Sequence, residues 1–508
     1  MIKNYLQSSL LLVFLTITSF SQSQNHPLKR EMRGVWIATV ANIDWPATRS
    51  TNANQQREEL REMLDQLEKL NINTIVFQAR PTSDAFYYSA YEPWSAYFTG
   101  KQGRKPMPYF DPLEYLTKEA HKRCMDIHVW LNPYRLLNNE AIASLDKTHL
   151  YFQKPQLFLK YGGKYYFNPG LDETRAHLNQ VVKDIVERYD IDAIHFDDYF
   201  YPYPVAGQEF PDHDTFRKYP RGFTNKADWR RNNVNMVIAE LKQTIQSTKP
   251  WVEFGISPFG VWRNNTVDPK GSATRAGIQN YDDLYADILK WLEEGTIDYV
   301  APQLYWEIGK KIADYEILLE WWTKHSFNKN VYIGLYASGL TLRNEAAWKK
   351  PNELARQIRM NRQNKQVDGA IFYSARPFLN NPQGLLDSLQ TQLFTYKALQ
   401  PFNRNLGRNK AIQPENIRLL KDNKEVVLTW DSVVAEGGDA IAYYVVYCFK
   451  GKKPGNLENP ENILTLTTEN MVRLNQLKKL KGYYTFVVTA VNRYKEESLP
   501  NYAVTRKL

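Results

Sequence analysis

Short apolar runs alternate with amphipathic stretches along most of this chain. Between residues 33 and 376 they are "GVWIATV" (34–40), "NTIVFQAR" (73–80), "DIHVWLNPYR" (126–135), "DAIHFDDYF" (192–200), "VEFGISPFG" (252–260), "IDYVAPQLYW" (297–306), "VYIGLYA" (331–337) and "DGAIFYSAR" (368–376). The segments between them read as helices. In "QQREELREMLDQLEKLN" the residues Leu60, Leu64, Leu67 and Leu70 recur at helical spacing, with charges on the other face. "RAHLNQVVKDIVERYD" and "YADILKWLEEGT" play the same part before the fourth and sixth runs. Strands alternating with helices imply parallel pairing, and continuous apolar runs imply burial on both faces. Eight such units predict an α/β fold, a (β/α)8 TIM barrel over residues 27–400 with long loops. A doubly wound open sheet is the competing architecture, but no Gly-rich phosphate loop follows the first run.

The pattern changes after residue 400. Residues 401–413, with Pro401 and few apolar positions, read as a polar linker. From 414 to 508 the text is strand-like, as in "EVVLTW", "AYYVVYCF" and "YYTFVVTAVN". Trp430 in an early strand and the alternation of Tyr484, Phe486, Val488 and Ala490 predict a small antiparallel sandwich. This stretch resembles a fibronectin type III domain. Such a module is expected to bind or to space, so a chain ending near residue 400 is expected to keep its activity. At the other end, residues 1–24 read as a signal peptide: Lys3, an apolar stretch from Leu10 to Phe20, then small serines. No later segment is long and apolar enough to span a membrane. The mature chain is expected to be exported, to the periplasm or cell envelope, with no transmembrane segment.

Composition narrows the chemistry. The aromatic share is 14%, with 33 Tyr and 13 Trp, and exposed Tyr and Trp suit the flat faces of sugar rings. The formal charge of +10 is scattered along the chain, which argues against a nucleic-acid partner. Cys124 and Cys448 fall in different predicted domains, so a bridge between them is not expected.

In a barrel of this kind chemistry sits at the C-terminal ends of the strands. Those ends carry Asp44, Gln78, Arg80, Asn132, Tyr134 and Arg135 in the first half of the chain. His195, Asp197, Asp198, Ser257, Trp262, Arg263, Gln303, Tyr305, Trp306, Glu307, Tyr373 and Arg376 follow. No Cys and one His stand in this set, which leaves a zinc site or a Ser/His/Asp triad poorly supported and implies no cofactor or metal. Carboxylates flanked by aromatics are what glycoside hydrolysis requires, one acid to protonate the leaving oxygen and one to attack the sugar or activate water. Strand alternation places His195 and Asp197 on one side and Asp198 on the other. Each candidate has a plainer use: a helix cap or calcium ligand for the aspartates, a loop ion pair for Glu307, packing for Trp262 and Trp306, charge balance for the arginines.

Seven segments together carry a family resemblance: "REMRGVWIATVANIDWP", "NTIVFQARPTSDAFY", "HVWLNPYR", "IHFDDYFYPYP", "FGISPFGVWRN", "DYVAPQLYW" and "GAIFYSARP". They are similar to the glycosyl hydrolase-like family 10 of bacterial envelope proteins. That resemblance implies a fold like the retaining (β/α)8 glycosidases, a cell-wall glycan as substrate, and Asp197 and Asp198 as the catalytic focus. The segment also resembles the chitinase strand "DGxDxDxE", but His195 replaces its middle Asp and Tyr199 its Glu, which speaks against a substrate-assisted mechanism. The expectation is an exported glycoside hydrolase cutting an envelope polysaccharide, with peptidoglycan strands the leading substrate. Asp197 is the leading nucleophile or base, Asp198 its alternate and Glu307 the general acid. Of Arg80, Arg135, Arg263 and Arg376, at least one is expected to grip an acidic group on the sugar, with Arg80 and Arg376 converging. The competing reading is a non-catalytic glycan-binding scaffold. In either case the C-terminal domain is the expected contact for an envelope protein partner.

Overall fold

Eight parallel strands close into a barrel, and each overlaps one of the apolar runs. They are β1 (Met32–Ile37), β2 (Thr74–Arg80), β3 (Asp126–Leu131), β4 (Ala193–Phe196), β5 (Glu253–Ile256), β6 (Tyr299–Val300), β7 (Asn330–Leu335) and β8 (Val367–Tyr373). The computed structural model describes residues 27–350, 352–406, 409–422, 425–477 and 481–508, so the expected leader at 1–24 lies outside the described residues. Pairing runs β1–β2–β3–β4–β5–β6–β7–β8 and back to β1. Helices α1 (Ala53–Lys69), α2 (Pro112–Lys122), α3 (Asp172–Arg188), α4 (Lys226–Thr248), α5 (Ile288–Glu294), α6 (Tyr315–Lys324) and α7 (Glu353–Gln363) follow the first seven strands, and short helical turns after Arg376 complete the ring.

Local chemistry accounts for these elements. The α1 N-terminus is capped by the Asn52 side chain, which accepts from the Gln55 amide. The same helix buries Leu60, Met63, Leu64 and Leu67 against the barrel. In β1, Val35 and Ile37 face the helices while Met32 and Trp36 face the barrel interior. β6 is short because Pro302 has no amide hydrogen to give, yet Gln303 still bridges to Phe259 and Gly334. An unforeseen three-stranded antiparallel sheet (Arg135–Leu137, Phe158–Tyr161, Lys164–Phe167) fills the loop after β3.

One glycine is needed for the interior. A Cβ on Gly255 would lie 2.0 Å from the Tyr299 ring, which crosses the barrel there. Gly255→Ala is therefore expected to destabilise the chain toward the upper end of about 1–3 kcal/mol, read as a fall in the denaturant midpoint. A variant with the parent midpoint would mean the ring has room to move.

The C-terminal segment forms two antiparallel sheets packed face to face. One has the order β9 (Arg418–Asp422), β10 (Glu425–Thr429), β13 (Met471–Arg473); the other runs β12 (Ile463–Thr467), β11 (Ile441–Lys450), β14 (Tyr483–Asn492), β15 (Val504–Lys507). Leu428, Trp430, Tyr444, Val446, Phe486 and Val488 make the core between them. The outer face of the larger sheet is buried as well, because Tyr443, Val445, Tyr447, Val487 and Val491 pack with Cys124 and Leu399. The sandwich thus covers the N-terminal mouth of the barrel. Its Lys495 ammonium enters that mouth, 2.8 Å from Asp126 and 2.8 Å from Glu253.

The stretch read as a linker begins as part of this floor. Gln400 is fully buried and donates to the carbonyls of Asn73 and Cys124 at 2.9 and 3.1 Å. The Phe402 carbonyl accepts from Asn330 at 3.2 Å, and Arg404 pairs with Asp368 at 2.7 Å. Polar composition marked residues 401–413 as a linker; at its start Phe402 and Arg404 bind the ends of barrel strands. Cys124 and Cys448 take part in no disulfide.

Candidate active site

At the C-terminal mouth a cavity of about 350 Å³ is lined by Asp197, Asp198, Arg135, Arg343, Gln78, Ser257, Gln303 and a wall of aromatics. The aromatics are Trp36, Trp130, Tyr199, Tyr203, Tyr305, Tyr336 and Tyr373. A larger cavity of about 540 Å³ lies at the opposite mouth, between barrel and sandwich. There His121 pairs with Asp192 at 2.9 Å and Arg493 with Asp190.

The two aspartates enter the cavity because β4 stops at Phe196. Alternation had placed them on opposite sides, but it applies only while the backbone stays extended, and both side chains line the same space. Asp197 accepts from the Trp130 indole at 2.9 Å, the Asn132 amide at 3.4 Å and the Tyr199 backbone at 3.3 Å. Asp198 accepts a short hydrogen bond from the Tyr203 hydroxyl. Burial and the Asp198 charge push Asp197 up to about 7, against the pull of Arg135, Trp130 and Tyr199. Burial raises Asp198 too, opposed by Tyr203, Gln303 and Arg135. The Asp198 charge thus works against ionisation of Asp197 and favours its acid form.

Gln78 is held by the Thr39 and Val40 amides at 3.0 and 2.9 Å. Gln303 donates to the Ser257 carbonyl at 2.9 Å. Tyr305 stacks on Tyr336 with centroids 5.1 Å apart, and Tyr373 lies 5.9 Å from Tyr305. Arg135 stacks on Tyr199 at 4.1 Å, and Arg343 lies over Tyr336 at 5.4 Å. Among the described residues, the buried Nε atoms of Arg135 and Arg343 have no hydrogen-bond partner.

Several expected site residues lie elsewhere. Glu307 is outside the cavity lining, paired with Lys310 at 3.0 Å and accepting from the Trp348 indole at 3.1 Å. Burial works against its ionisation, but its own amide, Lys310 and Trp348 outweigh that and hold it below the usual carboxylate range. A general acid needs the opposite shift. Arg80 is a buried brace, its guanidinium forked onto Glu92 at 2.7 and 2.6 Å and bonded to the Asn132 carbonyl. Arg376 is exposed, and its amide donates to Asp44 at 2.9 Å, so Arg80 and Arg376 do not converge on the cavity. Arg263 pairs with Asp282 and Asp268 at 2.8 and 2.7 Å. Asp44 is enclosed by Ala38, Ser374 and Arg376, and staples the end of β1 to the end of β8.

Tyr134 is core, Trp262 stacks on Trp321 at 5.8 Å and Trp306 packs on Phe259 at 5.4 Å. His195 lies beneath the cavity, bonded to Trp36, Ser257 and Tyr299. The plainer uses thus hold for most of these groups.

Sequence reasoning missed Trp36, Trp130, Tyr199, Tyr203, Tyr336 and Arg343 as lining. Tyr199 and Tyr203 had a signal, since they follow the acid pair directly in "DDYFYPYP". Trp36 and Trp130 had only their inward register.

The family model described as "Glycosyl hydrolase-like 10" matches residues 31–350. "Glycosyl hydrolase YngK" of Bacillus subtilis (strain 168) is 41% identical over 482 residues, covering 94% of this chain and 94% of that protein. "Glycosyl hydrolase DigH" of Escherichia coli (strain K12) is 39% identical over 375 residues, covering 69% of this chain and 84% of that one. Among solved structures, the PgaB (BpsB) glycoside hydrolase domain from Bordetella bronchiseptica aligns with a TM-score of 0.47 at 11% identity, covering 71% of this chain and 98% of that one.

Proposed function

Starting from the fact that this chain belongs to the glycosyl hydrolase-like 10 family, we propose that it hydrolyses O-glycosidic bonds of an envelope polysaccharide, the glycan strands of peptidoglycan. The observation that carries the reading is the buried pair Asp197–Asp198 at the mouth of an aromatic cavity. In this reading a sugar ring rests on Trp36 and Trp130. Asp197 passes its proton to the leaving oxygen as the C–O bond breaks, and the Asp198 carboxylate meets the positive charge growing at the anomeric carbon. Asp198 either attacks that carbon, forming a glycosyl ester that water cleaves as Asp197 takes its proton, with retention, or takes a proton from a water that attacks the carbon itself, with inversion. Family resemblance supports cell-wall glycan as substrate, and the leader-like residues 1–24 support export to the periplasm or envelope.

The test is direct. Purified chain incubated with peptide-free cell-wall glycan should release new reducing ends, and Asp197→Asn should bind the glycan without releasing them. Glycan bound by the parent chain with no new reducing ends would instead make the protein a scaffold.

An acidic sugar fits the two guanidinium groups on the cavity wall. Muramic acid carries a lactyl carboxylate, and a forked arginine reads a carboxylate better than a lysine does. Arg343→Lys is therefore expected to lower kcat/KM on muramic-acid strands about tenfold, the scale of one charge-assisted hydrogen bond. N-acetylglucosamine oligomers should lose no more than about twofold. Equal losses on both substrates would leave Arg343 a packing role on Tyr336.

A further inference from the structure

Beneath the cavity floor runs a line of polar groups not used in the catalytic steps. The Trp36 indole nitrogen lies 3.2 Å from His195 Nε2. An indole N–H can only donate, so Nε2 must be the nitrogen with the lone pair. The Ser257 hydroxyl lies 2.9 Å from the same atom and 3.4 Å from the Phe196 carbonyl, the two acceptors within reach of its proton. The His195 proton therefore sits on Nδ1, 2.9 Å from the Tyr299 hydroxyl oxygen. Tyr299 accepts there and gives its own proton to His128 Nδ1 at 2.8 Å. Trp36 on one side and the Tyr299–His128 arm on the other thus hold His195 in the same tautomer, with the His128 Nε2–H left without a partner among the described residues. His195, Tyr299 and His128 are fully buried. Burial lowers His195 to about 3, and burial with the Lys495 charge holds His128 well below its ordinary value, so both stay neutral and the relay holds its direction across ordinary pH.

The upper end of the relay reaches the chemistry. Trp36 and Ser257 both line the cavity with the acid pair. The Ser257 carbonyl also holds the Gln303 amide at 2.9 Å, and Gln303 in turn bonds Asp198. We propose that His195 is a positioning residue: locked in its Nδ1–H form by Tyr299 and His128, it fixes the Trp36 ring and the Ser257 hydroxyl as the floor on which the sugar rests. The relay is a property of the barrel. Only the identity of what lies on the floor rests on the glycosidase reading.

Two neighbouring tyrosines give a matched test in the full-length chain. Tyr332 packs against Tyr299 with centroids 5.0 Å apart, but its buried hydroxyl has no partner among the described residues. Tyr299→Phe cuts the relay; Tyr332→Phe removes the same group beside it. Nitrogen-15 spectra of the imidazoles and the Trp36 indole resonance report the relay, and kinetics on peptide-free glycan report the floor. The parent and Tyr332→Phe should show His195 protonated on Nδ1 alone. In Tyr299→Phe it should exchange between tautomers and the Trp36 signal should move. There kcat should fall about tenfold to a hundredfold, with KM and both pH limbs unchanged. A parent His195 protonated on Nε2 overturns the proposal even if no variant folds. So does Tyr299→Phe with the parent kcat. A parent chain that cleaves no glycan defeats the glycosidase reading instead, and the spectra then decide the relay: an unmoved His195 in Tyr299→Phe overturns it.

Discussion

Asp198→Asn is expected to lower glycan turnover by about a thousandfold or more while the chain stays folded. The substitution keeps the side chain's shape, and Tyr203 and Gln303 remain beside it. What it removes is the charge that stabilises the developing cation. Asp197→Asn should fall as far on natural glycan, because an amide cannot supply the proton. It should keep most activity on an aryl glycoside whose leaving group needs none. Asp198→Asn should fail on both substrates. The pH profile checks the same assignment. The Asp197 pKa is raised to about 7, so its acid form is present below that pH and lost above it, which makes Asp197 the alkaline limb. Arg135 pulls that value down, so Arg135→Gln should move the limb to higher pH. If Asp197→Asn is as poor on the aryl glycoside as on glycan, the two roles must be exchanged.

Lys495→Met is expected to cost about 3–5 kcal/mol of stability, the scale for breaking a buried ion pair on one side. Burial opposes the lysine's charge, but the Asp126 and Glu253 carboxylates outweigh it and raise its pKa. Without it two acids face each other inside the barrel, and Asp126 is already raised to about 6 by burial. The neutral triple variant Asp126→Asn, Glu253→Gln, Lys495→Met should recover most of the loss, since no charge is then left buried. Truncation near residue 400 removes the lysine and uncovers the apolar floor, so it should yield no cooperatively folded barrel. A truncated chain with a sharp unfolding transition and parent turnover would restore the sandwich to the role of a detachable module.

Both barrel and sandwich were legible from residue order. Every barrel strand overlaps a run chosen for its apolar character, and α1 buries Leu60, Leu64 and Leu67 of the leucines that spacing singled out. Periodicity is local, and each run carries its own evidence. The acid pair was legible for a similar reason, since two carboxylates ending an apolar strand have few uses. The other strand ends were not separable in this way. Arg80 and Arg376 close nearly identical phrases, yet Arg80 is sealed onto Glu92 and Arg376 lies outside the cavity. Glu307 follows two aromatics and still turns to Lys310.

The segment of β14 was read as an alternating sandwich strand, and the burial of its other face, where Val487 and Val491 pack with Cys124 and Leu399, came only from the structure. By itself, then, the amino-acid order determined the succession of strands and helices, the second β domain and the acids at the mouth. These follow from periods of two and of three to four residues within short segments. Only the tertiary structure decided which side chains share the cavity, that Lys495 neutralises the barrel floor and that the Trp36 indole meets His195. Trp36 and His195 are 159 residues apart, and Lys495 and Glu253 are 242 apart. Contacts over such separations depend on barrel closure and on packing between segments, which no local pattern encodes.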